Sequence, residues 1–393
     1  MRLVRSRHLI KRQDGQANKQ ESVKTADGDR KMKRPHWIRD VAVFSVLAVA
    51  ALVFGGCAEE ELRHSDSPPI ARIAANAGVR SIAVDHALEE RILALDPERI
   101  TEADIRNTLA KGPAPQIMLI HGGIVGVYLA MVSTGKFLAG MGYPQERIQH
   151  PGDRRWSHSC YENSAHIAGL LAWYYERDGL RPMMIGHSQG GVQAVKVLYE
   201  LAGELDKPLH VWNPYTDSAE KRTTIVDALT GKERPVIGIS ASYVSTLDSG
   251  GIMMVLPNQW KMLDKLRKIP DTVDNLTGYT IGVDFWPWPL PGFEGSEPYR
   301  ATGTATIRNV VLPVTYDHVN APQIAPLLDI PAARAWIDAY HPDRYENPPA
   351  EADDYAIVWA ADIWYSVKKQ WTLEAQRLIR ARRAAPGPTL HAE

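Results

Sequence analysis

Apolar and polar positions alternate along this chain between short, almost continuous apolar runs and longer stretches with a helical repeat. Ile117–Ile120 is an apolar run bounded by Pro113 and Pro115 on one side and Gly122-Gly123 on the other, which predicts a buried strand. Val125–Met141 then reads as a helix stopping at Gly142-Tyr143-Pro144, Arg147–His150 as a short strand, and Ser164–Tyr175 as a helix closing near Gly179. Pro182 opens a second apolar run that ends at Gly186-His187-Ser188-Gln189-Gly190. Beyond it Val192, Val195, Leu198 and Leu201 recur at helical spacing. Further strands are predicted over Pro235–Val244, Tyr279–Asp284 and Ala305–Val314, with a helical segment at Asn258–Leu266. Two helices follow, one opening at Asp329-Ile330-Pro331 and a long one from about Ala352 to Arg382. In the long helix Ala360, Trp364, Val367, Trp371, Ala375 and Leu378 form one apolar stripe. Strands alternating with helices predict an α/β fold, a mostly parallel sheet with helices on both faces, over residues 81–383. Residues 209–233 are long for a simple connection and suit a cap over the site.

The N-terminal part has a different character. Residues 1–40 hold 12 Lys and Arg against 5 Asp and Glu, leaving 33 basic and 41 acidic residues elsewhere, a net −8. An acidic body excludes nucleic acid as a partner, because phosphate binding needs clustered basic residues. Val41–Gly56 is a short apolar run preceded by Lys33, Arg34 and Arg39, the layout of an export signal. Its end, Val53-Phe54-Gly55-Gly56-Cys57, resembles the lipobox of bacterial lipoproteins, which implies lipidation at Cys57 and an exported protein tethered to the cell envelope. A start at Met32 gives a leader of ordinary length. Residues 58–80 then read as a tether and 384–393 as a disordered tail. With Cys57 acylated, Cys160 is left a free thiol and is expected to be buried as a small hydrophobe. Thr101 and Asp104 have the spacing of a capping box ahead of a short helix.

Candidate chemistry centres on Ser188. A G-x-S-x-G turn between strand and helix forces its serine into a strained backbone that lifts the hydroxyl clear of the sheet. A serine hydroxyl is a weak nucleophile at neutral pH and needs a base, itself oriented by a third group. His318, in the loop after the last predicted strand, is the expected base. For the acid, Asp284 at the end of its strand comes first, Asp248 second and Asp317 third, with Asp227, Asp271 and Asp274 behind. Stabilising a developing oxyanion takes two backbone N–H donors. These are expected from Gln189 and from Gly123, or else Ile124, in the His121-Gly122-Gly123 loop.

With the HGG and GHSQG elements in place, residues 113–340 resemble the α/β-hydrolases, bacterial lipases and esterases in particular. The resemblance implies Ser-His-Asp acyl transfer to water through an acyl-enzyme, on a small-molecule or lipid ester, with neither metal nor organic cofactor. Acyl transfer to another acceptor and amide hydrolysis use the same residues, and a silent binding protein of the same fold is the reading from another class. Aromatic and proline residues beside Asp284, Phe285 to Pro291, suit either an acyl pocket or packing.

Overall fold

The computed structural model describes residues 85–205, 208–250, 254, 257–282, 297–344 and 346–384. The leader, Cys57, the tether, Asp284 with its aromatic neighbours, and the tail beyond Ala384 lie outside them.

Six strands form one sheet: β1 (Ile117–His121), β2 (Ser157–Ser159), β3 (Met183–His187), β4 (Ala241–Leu247), β5 (Val273–Ile281) and β6 (Thr306–Leu312). Their order across the sheet is β6-β5-β4-β3-β1-β2, and every neighbouring pair is parallel. Every residue of β1, β3 and β4 is buried, as expected of strands covered on both faces; β1 and β3 are accordingly near-continuous apolar runs, while β4 buries Ser242, Ser245 and Thr246 among its apolar residues.

The helices are α1 (His86–Leu93), α2 (Glu102–Asn107), α3 (Val125–Gly140), α4 (Ser164–Asp178), α5 (Gln189–Leu201), α6 (Pro331–Ala339) and α7 (Ile357–Ala384). Because strand side chains alternate, Ile117, Leu119, Met183 and Ile185 face one core with Phe137 of α3 and the tryptophans of α7. Met118, Ile120 and Met184 face the other, with Leu171 of α4 and Val195 and Leu198 of α5. The expected α/β architecture is therefore the observed one.

Local signals explain the helix ends. Asp85 caps α1, Thr101 and Asp104 form the capping box of α2, and Asn163 caps α4. Gly179, at φ 69°, stops α4 in a conformation that suits glycine. Trp359, Trp364 and Trp371 of α7 are fully buried, each contributing about 2–3 kcal/mol over an exposed side chain. The indole N–H of Trp371 donates to Pro113 O at 2.9 Å.

Two carboxylates of α7 are buried and paired. Glu374 accepts from Arg181, just ahead of β3, and from Arg377. Burial pushes its pKa up, but the two guanidiniums outweigh that and hold it below the usual carboxylate range. Asp362 accepts from Tyr279 of β5, Tyr340 and Arg308 of β6, fastening α7 to the far strands.

The structure departs from the sequence reading at several element boundaries. Arg147–His150 is not a strand. Gln145–Arg147 is a 3-10 turn, and the strand that pairs with β1 is Ser157–Ser159, whose polar Ser-His-Ser run carries no apolar signal. β4 starts at Ala241 rather than Pro235, because Glu233–Pro235 pairs instead with Thr224–Val226 in a small antiparallel ribbon. β5 spans Val273–Ile281, so it begins earlier and closes sooner than Tyr279–Asp284. Pro257–Met262 is 3-10 rather than α-helical. That ribbon and a second one, Trp212–Asn213 with Ser218–Ala219, take up most of the 209–235 segment and pack along α4: Trp212 stacks on His166, Tyr175 bonds Asp227, and Arg222 bonds Glu176.

Replacing Asp362 with Ala would leave Arg308 and two phenols without their shared acceptor. Urea denaturation is expected to show about 3 kcal/mol lower unfolding free energy, with Arg308's partial exposure keeping the loss from being larger.

Candidate active site

The turn from β3 into α5 holds Ser188 at φ 57° and ψ −127°, a backbone region costing about 1–3 kcal/mol for a residue with a side chain. Two hydrogen bonds hold it there: Ser188 N–H donates to Leu247 O at 2.8 Å, and Gly191 N–H donates to Ser188 O at 3.1 Å. The glycines on either side have no room for a side chain. A Cβ on Gly186 would sit 2.5 Å from Gly190 O, and one on Gly190 would drive into Ile120 O of β1. The G-x-S-x-G spacing is thus a packing requirement, set by how closely α5 crosses β1 and β3.

The Ser188 hydroxyl lies 3.0 Å from Nε2 of His318, and Nδ1 of His318 lies 2.7 Å from Oδ2 of Asp248. Ser188, His318 and Asp248 are all buried, at 3%, 7% and 1% exposure. His318 follows β6, in a turn where Asp317 Oδ1 accepts from the N–H groups of Val319 and Asn320. Asp248 directly follows β4 and is also left-handed, at φ 50°. Its N–H donates to Tyr279 O at 2.8 Å, and its Oδ1 accepts from Ile281 N–H at 3.1 Å. Both carboxylate oxygens are therefore occupied, one by the imidazole and one by a backbone donor of β5.

The order of acid candidates changes accordingly. Asp248, placed second from sequence, holds His318, while Asp284 lies outside the described residues. The cause is the register of β4: ending at Leu247, it delivers Asp248 to the carboxyl edge of the sheet beside Ser188. The other acids have work elsewhere. Asp317 braces its own turn, Asp227 accepts from Tyr175, Asp271 from Thr304, and Asp274 from Arg181.

The loop after β1 lies against the serine. A Cβ on Gly122 would be 2.9 Å from Ser188 Cβ, and one on Gly123 would be 2.5 Å from the side-chain oxygen of Gln189. Gln189 opens α5, where first-turn N–H groups have no acceptor within the helix. His121 is buried with Nδ1 3.1 Å from Ser157 Oγ, and His187 packs its ring 4.9 Å from that of His318, so neither competes for the serine.

Cys160 is a buried free thiol, as expected, and burial pushes its pKa far up, which rules it out as a thiolate nucleophile at neutral pH. Its neighbour Tyr161 reaches the Gly123 loop from the other side, a placement the sequence reading missed. Only the position of the polar strand β2 beside β1 would have revealed it. Among the described residues no cluster of His, Cys, Asp or Glu is placed to hold a metal ion, and no helix is long and apolar enough to cross a membrane.

Neither the protein-family models nor the curated proteins give a match to this chain. Among solved structures, one described as "RedJ with PEG molecule bound in the active site" aligns at 15% identity over 56% of this chain and 89% of that chain, with a TM-score of 0.26. A likeness that distant says nothing about activity, and the site's chemistry rests on its geometry.

A carboxylate, an imidazole and a hydroxyl bonded in sequence can take a proton from the serine as it attacks, the carboxylate stabilising the imidazolium that forms. Modification of Ser188 by an organophosphonate should accordingly slow by about 10³- to 10⁴-fold in Asp248→Asn and stay within about two-fold of wild type in Asp284→Asn. Rate constants from quenched labelling time courses decide between the two acids.

Proposed function

We propose that this protein is a serine hydrolase of the α/β-hydrolase type that cleaves carboxylic esters. The observation that carries the reading is the unbroken relay from Asp248 through His318 to Ser188, with bonds of 2.7 and 3.0 Å, on a serine held in left-handed backbone. In this reading His318 removes the Ser188 proton as the hydroxyl attacks the substrate carbonyl, then returns it to the leaving alcohol. Asp248 keeps Nδ1 protonated and Nε2 free to act as base. The negative oxygen of the tetrahedral intermediate is met by the backbone N–H groups of Gln189 and Gly123. Water, activated by the same imidazole, then releases the acyl group and regenerates the serine. Three buried polar residues joined at hydrogen-bond distance favour catalysis over a silent binding role, because an idle set would incur desolvation and backbone strain without return.

The export signal and Cys57 belong to the same proposal and put the enzyme on the cell envelope. Their support is the sequence: a basic segment, a short apolar run and a cysteine directly after Gly55-Gly56.

Purified protein is expected to be labelled by a fluorophosphonate probe and to hydrolyse p-nitrophenyl esters, with both signals lost in Ser188→Ala. Unlabelled wild type, or labelling that survives Ser188→Ala, refutes the hydrolase reading. In cells, globomycin should cause a larger precursor to accumulate in wild type, while Cys57→Ala should run at the precursor size with or without the drug, as seen by immunoblotting.

A further inference from the structure

A donor loop made of two glycines faces two opposing demands. Gly122 and Gly123 are needed because the backbone runs too close to Ser188 and Gln189 for side chains. Glycine is also the least constrained residue, and an oxyanion donor stabilises a transition state only when its direction is set beforehand. Something outside the loop must supply the rigidity that Gly123 lacks.

Two side chains meet Gly123. The hydroxyl of Tyr161 and the side-chain oxygen of Gln189 both occupy the space a Cβ would need. Gln189 is buried, and its side-chain oxygen accepts from the Cys160 thiol at 3.3 Å, while Cys160 N–H donates to His121 O at 3.1 Å. Tyr161 differs in being 46% exposed, so its ring is not placed there to fill the core. Its backbone is anchored: Tyr161 N–H donates to Ser159 Oγ at 3.2 Å.

The next residue anchors the segment. Glu162 accepts from Ser159 N–H at 2.9 Å, faces His158 Nδ1 at 2.9 Å and Arg155 at 3.5 Å, and through its backbone carbonyl accepts from Gln193 of α5. Burial pushes the Glu162 pKa up, but His158 and Arg155 outweigh it and hold it at about 2, so it is anionic throughout the neutral range. The strand edge, α5 and this charged knot thus fix residues 159–162, and Tyr161 carries that rigidity to the loop.

From this we infer that Tyr161 is a positioning residue for the oxyanion donor: its hydroxyl, opposed by the Gln189 side chain, holds the Gly123 peptide with its N–H aimed at the substrate's carbonyl oxygen. The inference rests on the serine-hydrolase reading and assigns the exposed tyrosine to the transition state rather than to substrate affinity.

The test compares full-length wild type, Tyr161→Phe, Gln189→Met and Ser188→Ala in p-nitrophenyl butyrate hydrolysis and in inhibition by phenylboronic acid, whose tetrahedral adduct places an oxygen at the donors. Tyr161→Phe loses one hydroxyl, and Gln189→Met keeps the backbone donor and the side-chain length. In each, kcat should fall about 10-fold with KM within about two-fold of wild type, and boronate affinity should fall in step with kcat/KM. Thermal melting within a few degrees of wild type shows that the fold is intact. Wild-type kcat and boronate affinity in Tyr161→Phe, or a change confined to KM, overturns the inference while leaving the hydrolase reading standing. Absence of any Ser188-dependent hydrolysis in wild type overturns both.

Discussion

The bond from Ser188 N–H to Leu247 O is the interaction on which the rest of the site depends. It holds the serine in its left-handed backbone, and it does so from the last residue of β4. The residue directly after that strand is Asp248, whose carboxylate holds His318. Serine and acid are therefore both tied to the end of one strand, and any slip of β4 against β3 would displace both. The register leaves little room for such a slip, since β4 is buried along its whole length between β3 and β5.

Burial sets the electrostatic terms. A carboxylate as enclosed as Asp248 is costly to keep charged unless both oxygens are satisfied. The His318 ring and the Ile281 N–H do this, and hydrogen bonds to a charged group are worth about 1.5–3 kcal/mol each. The second donor comes from β5, so the strand that fixes the acid's backbone also fixes its side chain. Two further buried acids, Asp362 and Glu374 of α7, are matched by Arg308 of β6 and by Arg181 just ahead of β3, and do not enter the relay. They secure the helix that covers one face of the sheet, and so the spacing of β3 to β6 from behind.

The site is assembled at one edge of the sheet from four loops. Those after β1, β3, β4 and β6 supply the donor glycines, the nucleophile, the acid and the base. Parallel strands make this convergence a consequence of topology, because all of their carboxyl ends open on the same side. The segment after β2 lies beside them and brings Tyr161 and Cys160 against the loop that carries Gly123 and the amide of Gln189.

Much of this was legible in the sequence, because the constraints involved are local. The apolar runs of β1 and β3, the helix stops at Gly142 and Gly179, the capping box of α2 and the glycines around Ser188 each follow from what neighbouring residues can do with their backbone. His318 was legible as well, since a loop after the last strand of a parallel sheet returns to the edge where Ser188 stands. What only the tertiary structure decided is non-local. The choice of Asp248 depends on where β4 ends relative to β3 and β5, a pairing register that no single strand encodes. The polar strand β2 exists because its backbone completes the edge of β1, and no pattern in Ser157-His158-Ser159 announces that. The approach of Tyr161 to Gly123, residues far apart in the chain, follows only once those two strands are paired.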